Sequence, residues 1–275
     1  MKVSFADVDG ARIRYYHEGD GEPLLLIHGF GASADCWART IDAFGEHYRT
    51  IAPDLPGHGL SDRVDFGDEP PQIHLVRCLG RFMDTLDIGR CAVVGSSLGS
   101  VLACLLHDAR PDQVTRLVLV GSATVVSDLG TPNPDTIRAA MANGSKAMRA
   151  VSWETCIDRL ANVFFHRDRA PADVALVHAT AYALPDRLAA YTAIGEGIIA
   201  FAGDDRVKVR AEDIPVPVLI LSGREDIRAP IDIIEKNYTR FPDVEKVTFT
   251  ACNHMPELEH AGDFTAAVLD FLSRR

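Results

Sequence analysis

At 275 residues the chain is long enough to bury a full core as one large α/β domain or two smaller ones. Its composition, 47% hydrophobic and 24% charged, excludes disordered, collagen-like and membrane classes. A formal net charge of −11 excludes a nucleic-acid or anionic-membrane surface, which needs a basic patch. The expected partner is a small-molecule substrate, with no nucleic acid and no membrane; a homodimer is left open. Cys36, Cys78, Cys91, Cys104, Cys156 and Cys252 form no C-x-x-C pair, so buried free thiols are expected rather than bridges or a metal site. The first residues, Met1 to Phe5, lack the apolar core of a signal peptide, and the expected location is cytoplasmic.

In chain order, Val3 to Asp9 and Ala11 to Glu18 read as two strands joined by a tight turn at Asp9-Gly10. Continuous apolar runs follow at Pro23 to His28, Thr50 to Ala52, Cys91 to Val94, Arg116 to Val120, Val216 to Leu221 and Lys246 to Thr250. Runs without alternation are what a parallel sheet covered on both faces produces. Helical patterns fall between them, such as Leu75, Val76, Leu79, Phe82, Met83 and Leu86, so strand and helix alternate in an α/β layer structure. The alternation fails between Ser122 and Val216, a stretch far longer than one crossover helix requires. Within it, Trp153 to Phe164 behind a Ser152 N-cap, Ala172 to Leu184, and Arg187 to Ile199 read as helices. Residues 124–213 are therefore expected to form a helical cap on a core made of residues 1–123 and 214–275.

Gly95-Ser96-Ser97-Leu98-Gly99 closes one apolar run and opens a helical one, which makes it a G-x-S-x-G nucleophile elbow centred on Ser97. The flanking glycines are needed because a Cβ at either position would clash in so tight a turn. A serine hydroxyl is a weak nucleophile near neutral pH and requires a base held by a carboxylate. Asp226, at the end of the run beginning at Val218, and His254, after Lys246 to Ala251, follow at strand ends in the order Ser, Asp, His. Glu225 is the rival acid, and the other histidines lie in helix or loop contexts. The second demand is a pair of N–H donors for a tetrahedral oxyanion. Leu98 supplies one, and Phe30, within His28-Gly29-Phe30-Gly31, is expected to supply the other. Gly29, Ser96, Trp37, Met255, Trp153 and Phe164 are expected to contact substrate. No metal or organic cofactor is expected, since neither a ligand cluster at metal spacing nor a G-x-G-x-x-G after a strand is present.

With these residues in place, the chain resembles the α/β-hydrolase superfamily over nearly its whole length. Pro53-Asp54-Leu55-Pro56-Gly57-His58-Gly59-Leu60-Ser61-Asp62 is similar to that superfamily's loop after an early core strand, and His254-Met255-Pro256-Glu257-Leu258-Glu259 to its catalytic-histidine segment. The resemblance implies an α/β-hydrolase fold, a mostly parallel twisted sheet with helices on both faces and a helical cap insertion, and hydrolysis through an acyl-enzyme. Serine at position 97 sets the chain apart from branches that use aspartate there, the haloalkane dehalogenases and epoxide hydrolases. The tail from His254 to Leu272 is similar to the meta-cleavage-product hydrolases, which cut carbon–carbon bonds in vinylogous diketones. That family has an asparagine where Ser96 stands, a tryptophan where Met255 stands, and a different oxyanion loop. Hydrolysis of a carboxylic ester or related acyl bond is thus the main expectation and C–C hydrolysis the alternative. A third class is a ligand receptor with an intact triad, which the segment from His28 to Trp37 resembles. Very slow turnover leaving ligand covalently attached would distinguish a receptor from an enzyme.

Overall fold

The computed structural model describes residues 1–274. Eight strands form one sheet: β1 (Lys2–Val8), β2 (Ala11–Glu18), β3 (Pro23–Ile27), β4 (Arg49–Pro53), β5 (Cys91–Ser96), β6 (Val114–Val120), β7 (Val218–Gly223) and β8 (Val244–Phe249). Their spatial order is β1-β2-β4-β3-β5-β6-β7-β8. β2 runs antiparallel to both β1 and β4, and every other pairing is parallel. The β1–β2 hairpin turns where expected, with Asp9 at φ 52° and Gly10 at φ 84°. Two successive left-handed residues are what a two-residue turn matched to strand twist demands.

The continuous apolar runs have the expected cause. Along β3, Leu25 and Ile27 enter one core while Leu24 and Leu26 enter the other. Val93 faces opposite to Ala92 and Val94, and Leu117 and Leu119 opposite to Val118 and Val120. With a side-chain period of two and both faces covered, neither set is left in water. One face is closed by α2 (Pro71–Thr85) and α3 (Leu98–Ala109), the other by α1 (Ile41–Gly45) and residues of the C-terminal helix.

The segment between β6 and β7 carries α4 (Pro134–Arg149), α5 (Trp153–Ala161), α6 (Ala172–Tyr182) and α7 (Arg187–Ala200). Ser152 caps α5 as expected, accepting from the Thr155 N–H in a capping box that Thr155 returns. α4 has no counterpart among the helices expected from sequence. Its buried stripe, Ile137, Ala140, Gly144, Ala147 and Met148, is built largely from small residues that give a weak apolar signal, and its start is set by the Asn133 side chain accepting from the Asp135 N–H, with Pro134 at the first position. After β7 come α8 (Ile231–Asn237), α9 (Pro256–Glu259) and α10 (Ala261–Ser273). All six cysteines are free, five of them buried. No helix among the described residues is long and apolar enough to cross a membrane.

Candidate active site

The site is assembled where β5, β7 and β8 end. β5 runs directly into Ser97, whose backbone sits at φ 55°, ψ −115° before α3 begins. Such a conformation costs on the order of 1–3 kcal/mol for a non-glycine residue and persists only where its surroundings over-determine it. Three contacts do so. The Ser97 N–H donates to Val120 O at 2.8 Å, the Ser100 hydroxyl donates to Gly95 O at 2.7 Å, and the same hydroxyl accepts from the Val120 N–H at 3.0 Å. The flanking glycines are required: a Cβ on Gly95 would lie 2.2 Å from Gly99 O, and one on Gly99 would lie 2.1 Å from Ile27 O.

His254 and Asp226 meet beneath the same edge. His254 Nδ1–H donates to Asp226 Oδ2 at 2.8 Å, which leaves Nε2 as the lone-pair nitrogen. The other oxygen, Asp226 Oδ1, accepts from the N–H groups of Arg228 at 2.8 Å and Ala229 at 3.0 Å. Burial pushes the Asp226 carboxyl upward, but the His254 ring and the two backbone donors outweigh it and hold the group below its ordinary value. The rival acid, Glu225, instead accepts from the Cys252 N–H at 3.0 Å and has no contact with His254. The His254 loop is pinned from two directions: its own N–H donates to Val163 O of the insertion at 3.1 Å, and Glu259 accepts from the N–H groups of Asn253 at 2.9 Å and Phe165 at 2.6 Å.

The loop after β3 carries the second candidate donor. The Gly29 carbonyl is held by His28 Nδ1–H at 2.8 Å and by the Ala32 N–H at 3.2 Å. A trans peptide points its N–H opposite to its carbonyl, so the Phe30 N–H is turned away from those partners. His28 is locked as the neutral tautomer because its Nε2 accepts from the Leu55 N–H at 2.9 Å, and burial lowers its pKa to about 4. The Leu98 N–H opens α3 and has no intrahelical acceptor. Gly29 lies against the elbow, where a Cβ would stand 2.9 Å from Ser97 Cβ. The Phe30 ring stacks on Tyr191 of α7, with centroids 4.3 Å apart.

Ser97, His254, Phe30 and Arg228 border two chambers at once. The smaller, of about 40 Å³, is the more polar of the two and lies between the core and the insertion, where Ser96, Glu257, Asn143, Arg159 and His178 share its wall with Leu160, Val163 and Met255. That volume holds about three water-sized groups. The larger, of about 290 Å³, is bounded mainly by apolar and small residues including Val101, Ala123, Leu129, Ile137, Ala140 and Ile233. Arg159 donates to Gly31 O at 2.8 Å and lies over the Tyr182 ring, and neither it nor Arg228 forms an ion pair among the described residues. His178 is buried with both ring nitrogens unpartnered, and burial beside Arg159 lowers its pKa to about 3.

The structure thus brings together Ser97, Asp226, His254, Phe30, Leu98, Gly29, Ser96 and Met255, and separates three residues expected to contact substrate. Trp37 is fully buried on the far face of the sheet near Phe264, because the short helical turn Ala34–Trp37 directs it into that core. Phe164 packs into the same core with Leu160 and Val163. Trp153, the first residue of α5, is 44% exposed and borders neither chamber. Conversely, sequence reasoning passed over Arg159, His178, Glu257, Arg228 and Gly121. Arg159 had a readable signal, since it lies three residues after Cys156 on the stripe that faces inward. Gly121 sits at φ 57° where a Cβ would lie 3.4 Å from His254 Nδ1 and 3.5 Å from Asp226 Oδ2.

With an elbow serine, an Asp–His pair beside it and two free N–H donors, the arrangement can carry acyl transfer. The family model for the alpha/beta hydrolase fold matches residues 22–261. The chain belongs to the α/β-hydrolase family. Relatives of this α/β-hydrolase include the 2-hydroxy-6-oxo-6-(2'-aminophenyl)hexa-2,4-dienoic acid hydrolase of Metapseudomonas resinovorans, 30% identical over 98% of this chain and 91% of the relative. The 2-hydroxy-6-oxo-6-phenylhexa-2,4-dienoate hydrolase of Burkholderia cepacia is 29% identical over 95% and 91% of the two chains. Among solved structures, a meta-cleavage product hydrolase from Pseudomonas fluorescens IP01 superposes with a TM-score of 0.82 at 25% identity, covering 98% of this chain and 97% of that one. The protein is a hydrolase.

Proposed function

We propose that this hydrolase cleaves the carbon–carbon bond of a 2-hydroxy-6-oxo-2,4-dienoic acid, with Ser97 as nucleophile, His254 as proton carrier and Asp226 as its orienting carboxylate. The relatives' names support this substrate class over the simple ester expected from sequence. The observation that carries it is the division of the site at Ser97. On one side, the smaller and more polar chamber, whose Arg159 pairs with no carboxylate among the described residues, suits the acidic end; on the other, a larger, mainly apolar chamber suits the group attached to the ketone, and Arg228 stands at the junction. All the relatives reported above carry hydrolase names, and the receptor alternative has no comparable support.

The chemistry begins with ketonisation: His254 moves the proton of the 2-hydroxyl to C5, giving a 2,6-dioxo acid. Ser97 Oγ then attacks C6 while its proton passes to His254 Nε2, and the oxyanion rests on the N–H groups of Phe30 and Leu98. Collapse breaks C5–C6, the electron pair delocalises toward the C2 oxygen, and His254 returns the proton to release a 2-hydroxydienoate. Water, deprotonated by His254, hydrolyses the acyl-serine to a carboxylic acid and restores Ser97.

The test is steady-state turnover of 2-hydroxy-6-oxo-6-phenylhexa-2,4-dienoate, followed by loss of its conjugated chromophore, beside turnover of p-nitrophenyl butyrate. The expected result is a kcat/KM for the dienoate at least a hundredfold above that for the ester. Ester turnover with no dienoate cleavage would sink this reading and restore ester hydrolysis.

A further inference from the structure

Glu257 lies two residues beyond Met255 in α9, fully buried, on the wall of the polar chamber. One of its oxygens, Oε1, accepts from the Ser96 hydroxyl at 2.8 Å, which places a carboxyl group one residue from the nucleophile. The other, Oε2, is buried and has no partner among the described residues. An acceptor-only oxygen left bare in such a place is costly, whereas a carboxylic acid O–H aimed at a ligand oxygen is not. Around it stand Asp226 and His254, Glu259 on its own helix, Cys36 from the turn after β3, and Arg159 and His178 from the insertion. No cation among the described residues pairs with Glu257.

We propose that Glu257 is a specificity-determining residue that acts as a neutral acid, donating a hydrogen bond through its unpartnered oxygen to the carboxylate or enolate oxygen of a substrate held in the polar chamber. The inference rests on the reading that this chamber takes the acidic end of the substrate. Ionised, the same group would set a negative charge against that end and close the chamber to it. Burial is the main force keeping Glu257 protonated, and it pushes the carboxyl up to about 8 against the opposing effect of its hydrogen bonds. A carboxylic acid kept neutral by its surroundings so that it can donate has precedent in enzymes that stabilise enolates. The consequence is a gate on substrate charge: acids are accepted near neutral pH and rejected in alkali, while uncharged ligands are indifferent.

Sorbate, a conjugated dienoate with no bond to cut, is the probe, with its uncharged amide as control, and affinity is read by calorimetry at pH 7.0 and 9.5. Sorbate affinity is expected to fall by about thirtyfold, following the neutral fraction of a group titrating at about 8, while sorbamide affinity holds. In Glu257→Gln, which keeps a neutral donor, sorbate affinity is expected to differ less than threefold between the two pH values. Titration of any other group in the surroundings would persist in that variant. Equal sorbate affinity at both pH values in the parent protein, a persistent fall in Glu257→Gln, or absence of sorbate binding at pH 7.0 would each overturn the proposal. Because sorbate is not cleaved, the outcome is separate from the reaction: a protein that shows the gate yet leaves dienoates intact would sink the proposed function alone.

Discussion

Two buried polar clusters lie on either side of the loop after β3, and they are built to opposite rules. In the first, Arg14 of β2 donates to Asp54 through Nε at 2.6 Å and Nη2 at 2.7 Å, and to Asp35 through Nη2 at 2.6 Å. Asp54 also accepts from the N–H groups of Ala34 and Leu60, and Asp35 from the hydroxyls of Tyr16 and Ser33. Every carboxylate oxygen there is engaged. In the second, around the polar chamber, His178, Glu257 Oε2 and Arg159 Nε are buried with no partner among the described residues. The first cluster ties β2, the loop after β3 and the loop after β4 into one unit, as a scaffold does. The second leaves its hydrogen-bonding capacity unspent where a substrate can meet it.

The largest expected effect belongs to neither cluster but to the chemistry between them. Ser97→Ala and His254→Ala are each expected to lower kcat by about 10⁴ or more, and Asp226→Asn by a comparable factor, because the amide holds the wrong tautomer of His254. Thermal melts of the three variants check that the loss is chemical; a variant retaining a tenth of parental kcat would remove that residue from the role given to it.

The contrast between the clusters is broken or upheld by matched substitutions. Arg14→Met leaves Asp35 and Asp54 buried without their cation and is expected to cost about 3–5 kcal/mol of stability, measured by urea unfolding. Arg159→Met removes a guanidinium that no carboxylate faces, so it is expected to cost less than about 1 kcal/mol while raising KM for an acidic substrate by about tenfold or more. Equal stability losses in the two variants would mean that the polar chamber is scaffold as well.

The same division is expected in the pH dependence of stability. Burial lowers the pKa of His28 to about 4 and of His58 and His178 to about 3, all from an unfolded value near 6.5. Below pH 6.5 the unfolded chain therefore binds more protons at these three sites, and stability falls as pH falls. Glu257 has the opposite sign. Its folded pKa lies above its unfolded one, so between about 4.5 and 8 the folded protein holds the extra proton, and stability falls as pH rises. Between 4.5 and 6.5 the three histidines outnumber the one acid, giving a net slope of up to about 3 kcal/mol per pH unit; above about pH 7 the acid outweighs the residual histidine effect and contributes a decline of up to about 1.4. Among these groups stability peaks close to pH 7. Melting curves from pH 5 to 8.5 test this, and Glu257→Gln should flatten the alkaline side while leaving the acid side steep.

Which parts of this were legible in the sequence follows from where the signals are local. The strands could be read because both faces of the sheet are covered, so Leu24 to Ile27 and Val218 to Leu221 are apolar without interruption. The elbow could be read because its glycines answer to steric demands within five residues, and Asp226 and His254 because each lies just past the end of a strand. Ser96 and Met255 on the wall of the polar chamber were read from sequence, but the rest of that wall was hidden because it comes from separate elements: Asn143 from α4, Arg159 from α5, His178 from α6 and Glu257 from α9. No short window of sequence contains two of them. Aromatic residues were misleading for the converse reason. A tryptophan is large enough to suggest a pocket wherever it falls, but the sequence around Trp37 does not say which face of the sheet it will enter.

The smallest effect is expected at Trp153, and its size is informative. Exposed by 44% at the start of α5 and touching neither chamber, it contributes little that water does not replace. Trp153→Ala is expected to change stability by less than about 0.5 kcal/mol and to leave KM for an acidic substrate within twofold. Arg159 lies six residues later on the same helix, where the chain turns inward, so the pair separates helix position from side-chain contact. If Trp153→Ala raised KM as much as Arg159→Met, then α5 itself, rather than the guanidinium it carries, would govern access, and the polar chamber would owe its selectivity to movement of the insertion.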